Sequence, residues 1–254
     1  MTTQQKTGST RDASGHAGSL RKGLLTGAAA LALLAPPAIF LWPSTNAPPA
    51  TGVQAPQPVI RLAQFGAERP SGDVRLMANW VATARDNRNM SFVIVDKKDA
   101  KVYVFDPQGQ LKAAAAALLG SAIGDDTVPG VGDKPIAEVL PEEKTTPAGR
   151  FIAEKGDSTR GEDVVWVDYD AGVSMHRVLK VPERATSLAS PTNEDNRMSF
   201  GCINLPPEFY ENALRPAVYH GGGAVIYVLP ETRSLAQTFP AFYDVEAPSR
   251  VAQH

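Results

Sequence analysis

The rhythm of hydrophobic and polar positions changes twice along this chain. Residues 23–42 run Gly-Leu-Leu-Thr-Gly-Ala-Ala-Ala-Leu-Ala-Leu-Leu-Ala-Pro-Pro-Ala-Ile-Phe-Leu-Trp without a charged side chain. About 20 apolar residues cross a bilayer as a helix, so this run predicts a membrane segment, kinked near its far end by Pro36-Pro37. Residues 43–72 form a Pro/Ala-rich linker that buries too little to fold. A helical period then sets in. Val74, Met77, Trp80, Val81 and Ala84 share one face and predict a leading amphipathic helix within residues 73–88.

Beyond Met90 the period shortens to that of strands. Residues 92–95 and 102–105 are β-branched and aromatic runs around a polar turn, which is a hairpin signal. Alanine content alone would make residues 111–119 helical, but their place after a hairpin predicts the third strand of a meander. Residues 120–144 are rich in Gly, Pro and acids and read as a functional loop or flap. Strand candidates follow at 151–153, 164–167 and 173–178, and then a polar loop at 182–198. A helix over 206–218 opens on prolines, where a missing N–H costs nothing, and three glycines end it before a buried strand at 224–228. Strands dominate, so the expected domain, residues 89–232, is mostly β: a sandwich or barrel with one or two helices packed outside. Residues 233–254 read as a surface-packed or loose tail.

Charge changes this picture at the N-terminus. Residues 1–22 carry Lys6, Arg11, Arg21 and Lys22 against Asp12, and no further Lys or Arg appears before Arg61. That asymmetry keeps the first 22 residues in the cytoplasm and places the remainder outside, in the periplasm or cell envelope. A cleaved signal peptide with its apolar core at 24–34 is the alternative, but the alanines best placed for cleavage, Ala47 and Ala55, each precede proline. The run reads as an inner-membrane anchor, and both readings export the domain. A formal net charge of −2 carries no basic excess and argues against nucleic acid as a partner.

Cys202 is the only cysteine in 254 residues, so it cannot form an internal disulfide. In an exported domain a spare thiol is a liability, although inert packing is a common fate for free cysteine. Gly201 before it allows a tight turn that exposes the sulfur. A nucleophilic thiol needs a base. Of four histidines, His16 precedes the membrane segment and His254 ends the chain. His220 abuts three glycines at a helix end, whereas His176 lies mid-strand on one face with Ser174 and Val178, which makes it the favoured base. No metal-ligand spacing and no phosphate loop occurs, so neither metal nor other cofactor is expected.

A strand histidine followed by Ser199-Phe200-Gly201-Cys202-Ile203-Asn204 resembles the signature of the L,D-transpeptidase (YkuD-type) catalytic domain. Thr146-Pro-Ala-Gly-Arg-Phe151 is similar to that family's upstream turn, the terminal Val-Ile-Tyr-Val strand fits, and the likeness covers about residues 91–230. There are departures. His176-Arg177 stands for the usual His-Gly, Phe200 stands for a second histidine, and the polar loop lengthens the interval between His176 and Cys202.

The resemblance implies that Cys202 is a nucleophile served by His176, with backbone N–H groups at Gly201 and Cys202 receiving the oxyanion. It also implies that the Arg177 carbonyl orients the imidazole and that Ser199 and Asn204 shape the loop and hold substrate. The implied reaction attacks a peptidoglycan tetrapeptide stem, releases D-alanine and cross-links to a second amine. The same thioester resolved by water, as in a carboxypeptidase or cross-link hydrolase, and a catalytically silent wall-binding module are alternatives.

Overall fold

The computed structural model describes residues 59–247. The expected anchor and most of the linker lie outside the described residues, and among the described residues no helix is long and apolar enough to cross a membrane. The first helix, α1 (Gly72–Ala84), starts where Ser71 Oγ accepts from the Val74 N–H at 3.2 Å. It stops where Arg85 turns left-handed at φ 55°. Its apolar positions Val74, Met77, Trp80 and Val81 are all buried.

The strands β1 (Ser91–Asp96), β2 (Lys101–Phe105) and β3 (Leu111–Ala116) form the expected antiparallel meander. The alanine run is thus a strand, because pairing with β2 outweighs a weak local preference for helix. Then come β4 (Leu119–Gly120) and a long segment holding three short 3₁₀ turns between residues 131 and 143. The strands β5 (Gly149–Ile152), β6 (Glu154–Asp157), β7 (Asp163–Asp168) and β8 (Val173–Arg177) follow. The β6 strand, Glu-Lys-Gly-Asp, has no apolar residue to announce it and exists by pairing with β7.

The loop expected at 182–198 is in part a helix, α2 (Pro182–Ala189), which opens on Pro182. Its mixed, largely exposed residues hide it from a reading by hydrophobic period. Next are β9 (Arg197–Ser199), β10 (Ile203–Leu205) and α3 (Pro207–Phe209), which continues as wide π-helical turns to His220. The chain closes with β11 (Ala224–Val228) and α4 (Leu235–Thr238).

Two sheets result, ordered β3-β2-β1-β11-β5 and β10-β8-β7-β6, with β4 and β9 as a short parallel pair. Every residue of β1 and β11 is buried, so these strands are covered on both faces. Alternation divides them. Val93, Val95, Ile226 and Val228 meet Val165, Met175, Ile203 and Leu205 of the second sheet in the inner core. Phe92, Ile94 and Tyr227 meet Val74, Met77 and Trp80 of α1 in the outer core. Each such large side chain contributes roughly 1.5–3 kcal/mol by leaving water. Leu235, Phe239 and Val245 also belong to the outer core, so the residues read as a tail are in good part packed structure.

Candidate active site

Strands β8 and β10 run parallel in the register Met175–Ile203, His176–Asn204 and Arg177–Leu205. One step back along that register, Cys202 falls beside Ser174, whose Oγ is 3.7 Å from Sγ. Ser174 and His176 project to the same face because side chains alternate along a strand. The register thereby brings the imidazole to the side of the strand that carries the thiol, close enough for each group to shift the other. Nδ1 of His176 lies 2.8 Å from the Arg177 carbonyl oxygen. A carbonyl only accepts, so Nδ1 carries the proton and Nε2 is left as the acceptor facing the thiol. The carbonyl of Gly172 is also 3.5 Å from Sγ.

Each of the two groups shifts the other. Burial pushes the Cys202 thiol up, but the neighbouring imidazole of His176, with Ser174, brings it below its ordinary value. Burial pushes His176 down, but Cys202 and the Arg177 carbonyl hold it above its ordinary value. Both shifts favour an imidazolium–thiolate pair.

The turn carrying the thiol is heavily braced. Gly201 has φ 127°, and a Cβ there would meet the Thr145 carbonyl oxygen at 2.7 Å, so only glycine fits. Ser199 Oγ donates to the Cys202 carbonyl at 2.6 Å and accepts from the Gly201 N–H at 3.1 Å. Asn204 Nδ2 donates to the same Cys202 carbonyl at 3.2 Å, and its Oδ1 accepts from Arg184 of α2 at 2.6 Å. Ser199 and Asn204 are both buried, and their side-chain hydrogen bonds serve the loop. The Gly201 N–H, expected to face an oxyanion, is committed to Ser199.

Arg177 brings only its carbonyl to the imidazole. Its guanidinium turns away to Asp163 at 2.9 Å and Glu211 at 2.5 Å, over the Tyr210 ring. His220 is exposed at the end of the wide turns and has no hydrogen bond to Cys202 among the described residues.

Other contributors were not among the expected site residues. Ser174 was signalled by its alternation with His176. Arg184 and the Gly172 carbonyl carried no signal, because loop and helix geometry brings them in. Phe200 is 44% exposed beside the thiol turn, with Lys144 Nζ 4.1 Å from its ring centre. A cleft of about 780 Å³, lined by Gly132, Asp157, Trp166, Tyr169 and Gly172, reaches the residue whose carbonyl touches Sγ. Among the described residues no group of three or more His, Cys, Asp or Glu could hold a metal ion.

No protein-family model matches the chain, and no curated protein matches it. Among solved structures it is similar to a mutant Enterococcus faecium L,D-transpeptidase, with 19% identity over 55% of this chain and 50% of that one, at a TM-score of 0.34. The isolated catalytic domain from the E. faecium L,D-transpeptidase gives 19% identity over 56% of this chain and 98% of that one, at 0.33. An L,D-transpeptidase from Mycobacterium smegmatis gives 20% identity over 54% and 58%, at 0.32. The chain thus spans half the length of the first of these and nearly all of the isolated domain.

Proposed function

We propose that this chain is a peptidoglycan L,D-transpeptidase that works through a Cys202 thioester. The observation that carries this reading is the placing of His176 and Cys202 together by the β8–β10 register, with the imidazole tautomer set by the Arg177 carbonyl and each group shifting the other toward its charged form. A buried, inert cysteine has no need of a base held in that way.

The thiolate of Cys202 attacks the carbonyl of the L-to-D peptide bond before the terminal D-alanine of a tetrapeptide stem. A C–S bond forms, and the developing oxyanion takes a hydrogen bond from the Cys202 N–H, a contribution typically worth ~3 kcal/mol. As the C–N bond breaks, the His176 imidazolium gives its proton to the departing D-alanine nitrogen. An amine of a second stem then attacks the thioester. His176 takes the proton that amine loses, the new C–N bond forms, and the thiolate leaves. Ser199 and Asn204 act by holding the Cys202 carbonyl, which keeps the turn in place. Phe200 and the Trp166–Tyr169 cleft are the surfaces offered to substrate. The domain works outside the cytoplasm, tethered by residues 23–42.

Incubation of the full-length protein with disaccharide-tetrapeptides tests this. Cross-linked dimers support transfer, free tripeptides convert the reading to hydrolysis, and no turnover leaves a wall-binding module. If Cys202→Ala processed stems as fast as the parent, the thioester mechanism would fail.

A further inference from the structure

We infer that Thr146 is a positioning residue that aims the Cys202 N–H, the donor offered to the oxyanion; this rests on reading Cys202 as the nucleophile. The Thr146 side chain is completely buried. Its hydroxyl donates to the Gly201 carbonyl at 2.8 Å and accepts from the Gly120 N–H at 2.9 Å, bridging the β4 strand to the thiol turn. Its own carbonyl receives Lys97 Nζ at 2.9 Å. Lys97 is fully buried and paired with Asp125 at 2.8 Å, so Thr146 is pinned by a charge that cannot relax into water.

The consequence follows from peptide geometry. The Gly201 carbonyl and the Cys202 N–H belong to one planar trans peptide unit and point in opposite directions. Fixing the carbonyl on Thr146 therefore fixes the direction of the N–H. Ser199 takes the neighbouring Gly201 N–H, so of these two donors it is the Cys202 N–H that can be offered to an oxyanion. The Thr145 carbonyl, close against the Gly201 Cα, limits compensating movement of the turn. Thr146→Val keeps the shape and removes both hydrogen bonds, leaving the plane of that peptide unit free to tilt.

The test separates two reactions of the same sulfur. Alkylation by iodoacetamide forms no oxyanion, whereas acylation by p-nitrophenyl acetate passes through one and needs no stem peptide. Because Cys202 is the only cysteine, subtracting the reaction of a Cys202→Ala control leaves both reagents reporting a single site. In the full-length protein, Thr146→Val is expected to keep the pH profile of alkylation and to lose acylation by roughly 10²–10³-fold, as for one oxyanion donor. Thr146→Ser, which keeps the hydroxyl, is expected to acylate like the parent. The inference is overturned if Thr146→Val acylates at the parental rate, or if alkylation falls in step with acylation. Should the valine variant not fold, a folded serine variant that has lost acylation overturns it equally, and one that retains acylation supports it. A parent that reacts with the ester but leaves stems untouched sinks the transpeptidase reading and spares this one.

Discussion

His176 donates through Nδ1 to the carbonyl of the residue that follows it, Arg177, at 2.8 Å, which leaves Nε2 as the ring's acceptor. The orienting group is backbone and not a carboxylate. It cannot be lost by substituting Arg177, and it adds no formal charge beside the ion pair.

The pH dependence of the thiol follows from the two shifts. With the thiol below its ordinary value and the imidazole above its own, the two values are drawn toward each other and the ion pair gains population at near-neutral pH. Alkylation of Cys202 should therefore begin below the range of an ordinary cysteine. Acyl transfer should rise as the thiolate forms and decline as the imidazolium is titrated at higher pH. In His176→Ala the opposing influence of burial remains, so the onset should move above the ordinary range, and alkylation at neutral pH should slow by about tenfold or more. His220→Ala should leave the profile unchanged.

Arg177→Ala distinguishes carbonyl from side chain. It removes ion pairs to Asp163 and Glu211 and the stacking on Tyr210. These are partly exposed, so the expected loss is about 1–2 kcal/mol in chemical denaturation. The onset of Cys202 alkylation should stay where it is, because the carbonyl that holds His176 is retained.

Gly201→Ala tests the turn. A Cβ would be placed 2.7 Å from the Thr145 carbonyl oxygen in a residue at φ 127°. Left-handed strain alone costs of order 1–3 kcal/mol, and the backbone must also shift. Acylation should fall by roughly 100-fold, since small misplacements of a reacting group have such effects. Stopped-flow acylation and thermal unfolding of the same preparation check both parts.

The buried Lys97–Asp125 pair should dominate acid stability. Burial pushes the Asp125 carboxyl up, but Lys97, the Thr232 hydroxyl and the N–H groups of Glu231 and Thr232 hold it well below the usual carboxylate range. Its contribution is therefore fully present above the ordinary range and is lost only as pH falls through the lowered value. Lys97→Met strands a buried carboxylate and should cost about 3–5 kcal/mol at neutral pH. Its acid unfolding midpoint should also move upward, which a pH-jump circular dichroism series measures.

Much of the scaffold could be read from the chain. The 3.6-residue period placed α1, and the β-branched runs placed β1, β2, β8 and β11, because each buries one or both faces in a core. The polar β6 strand and the α2 helix were missed for the complementary reason. They are held by pairing with β7 and by the α2 contact to Asn204, and no apolar rhythm marks them.

For the candidate site, the sequence by itself determined which atoms could react. One thiol, one strand histidine on the Ser174 face, and a glycine able to hold φ 127° are properties of residue type and local period. Only the tertiary structure decided how they meet. The parallel register of β8 with β10 sets the histidine one step from the thiol. The Thr146 bridge and the buried Lys97 set the turn, and Arg184 reaches Asn204 from a helix the chain did not announce. These are contacts between segments 20 to 50 or so residues apart, and their geometry depends on which strands share hydrogen bonds, which no local pattern encodes.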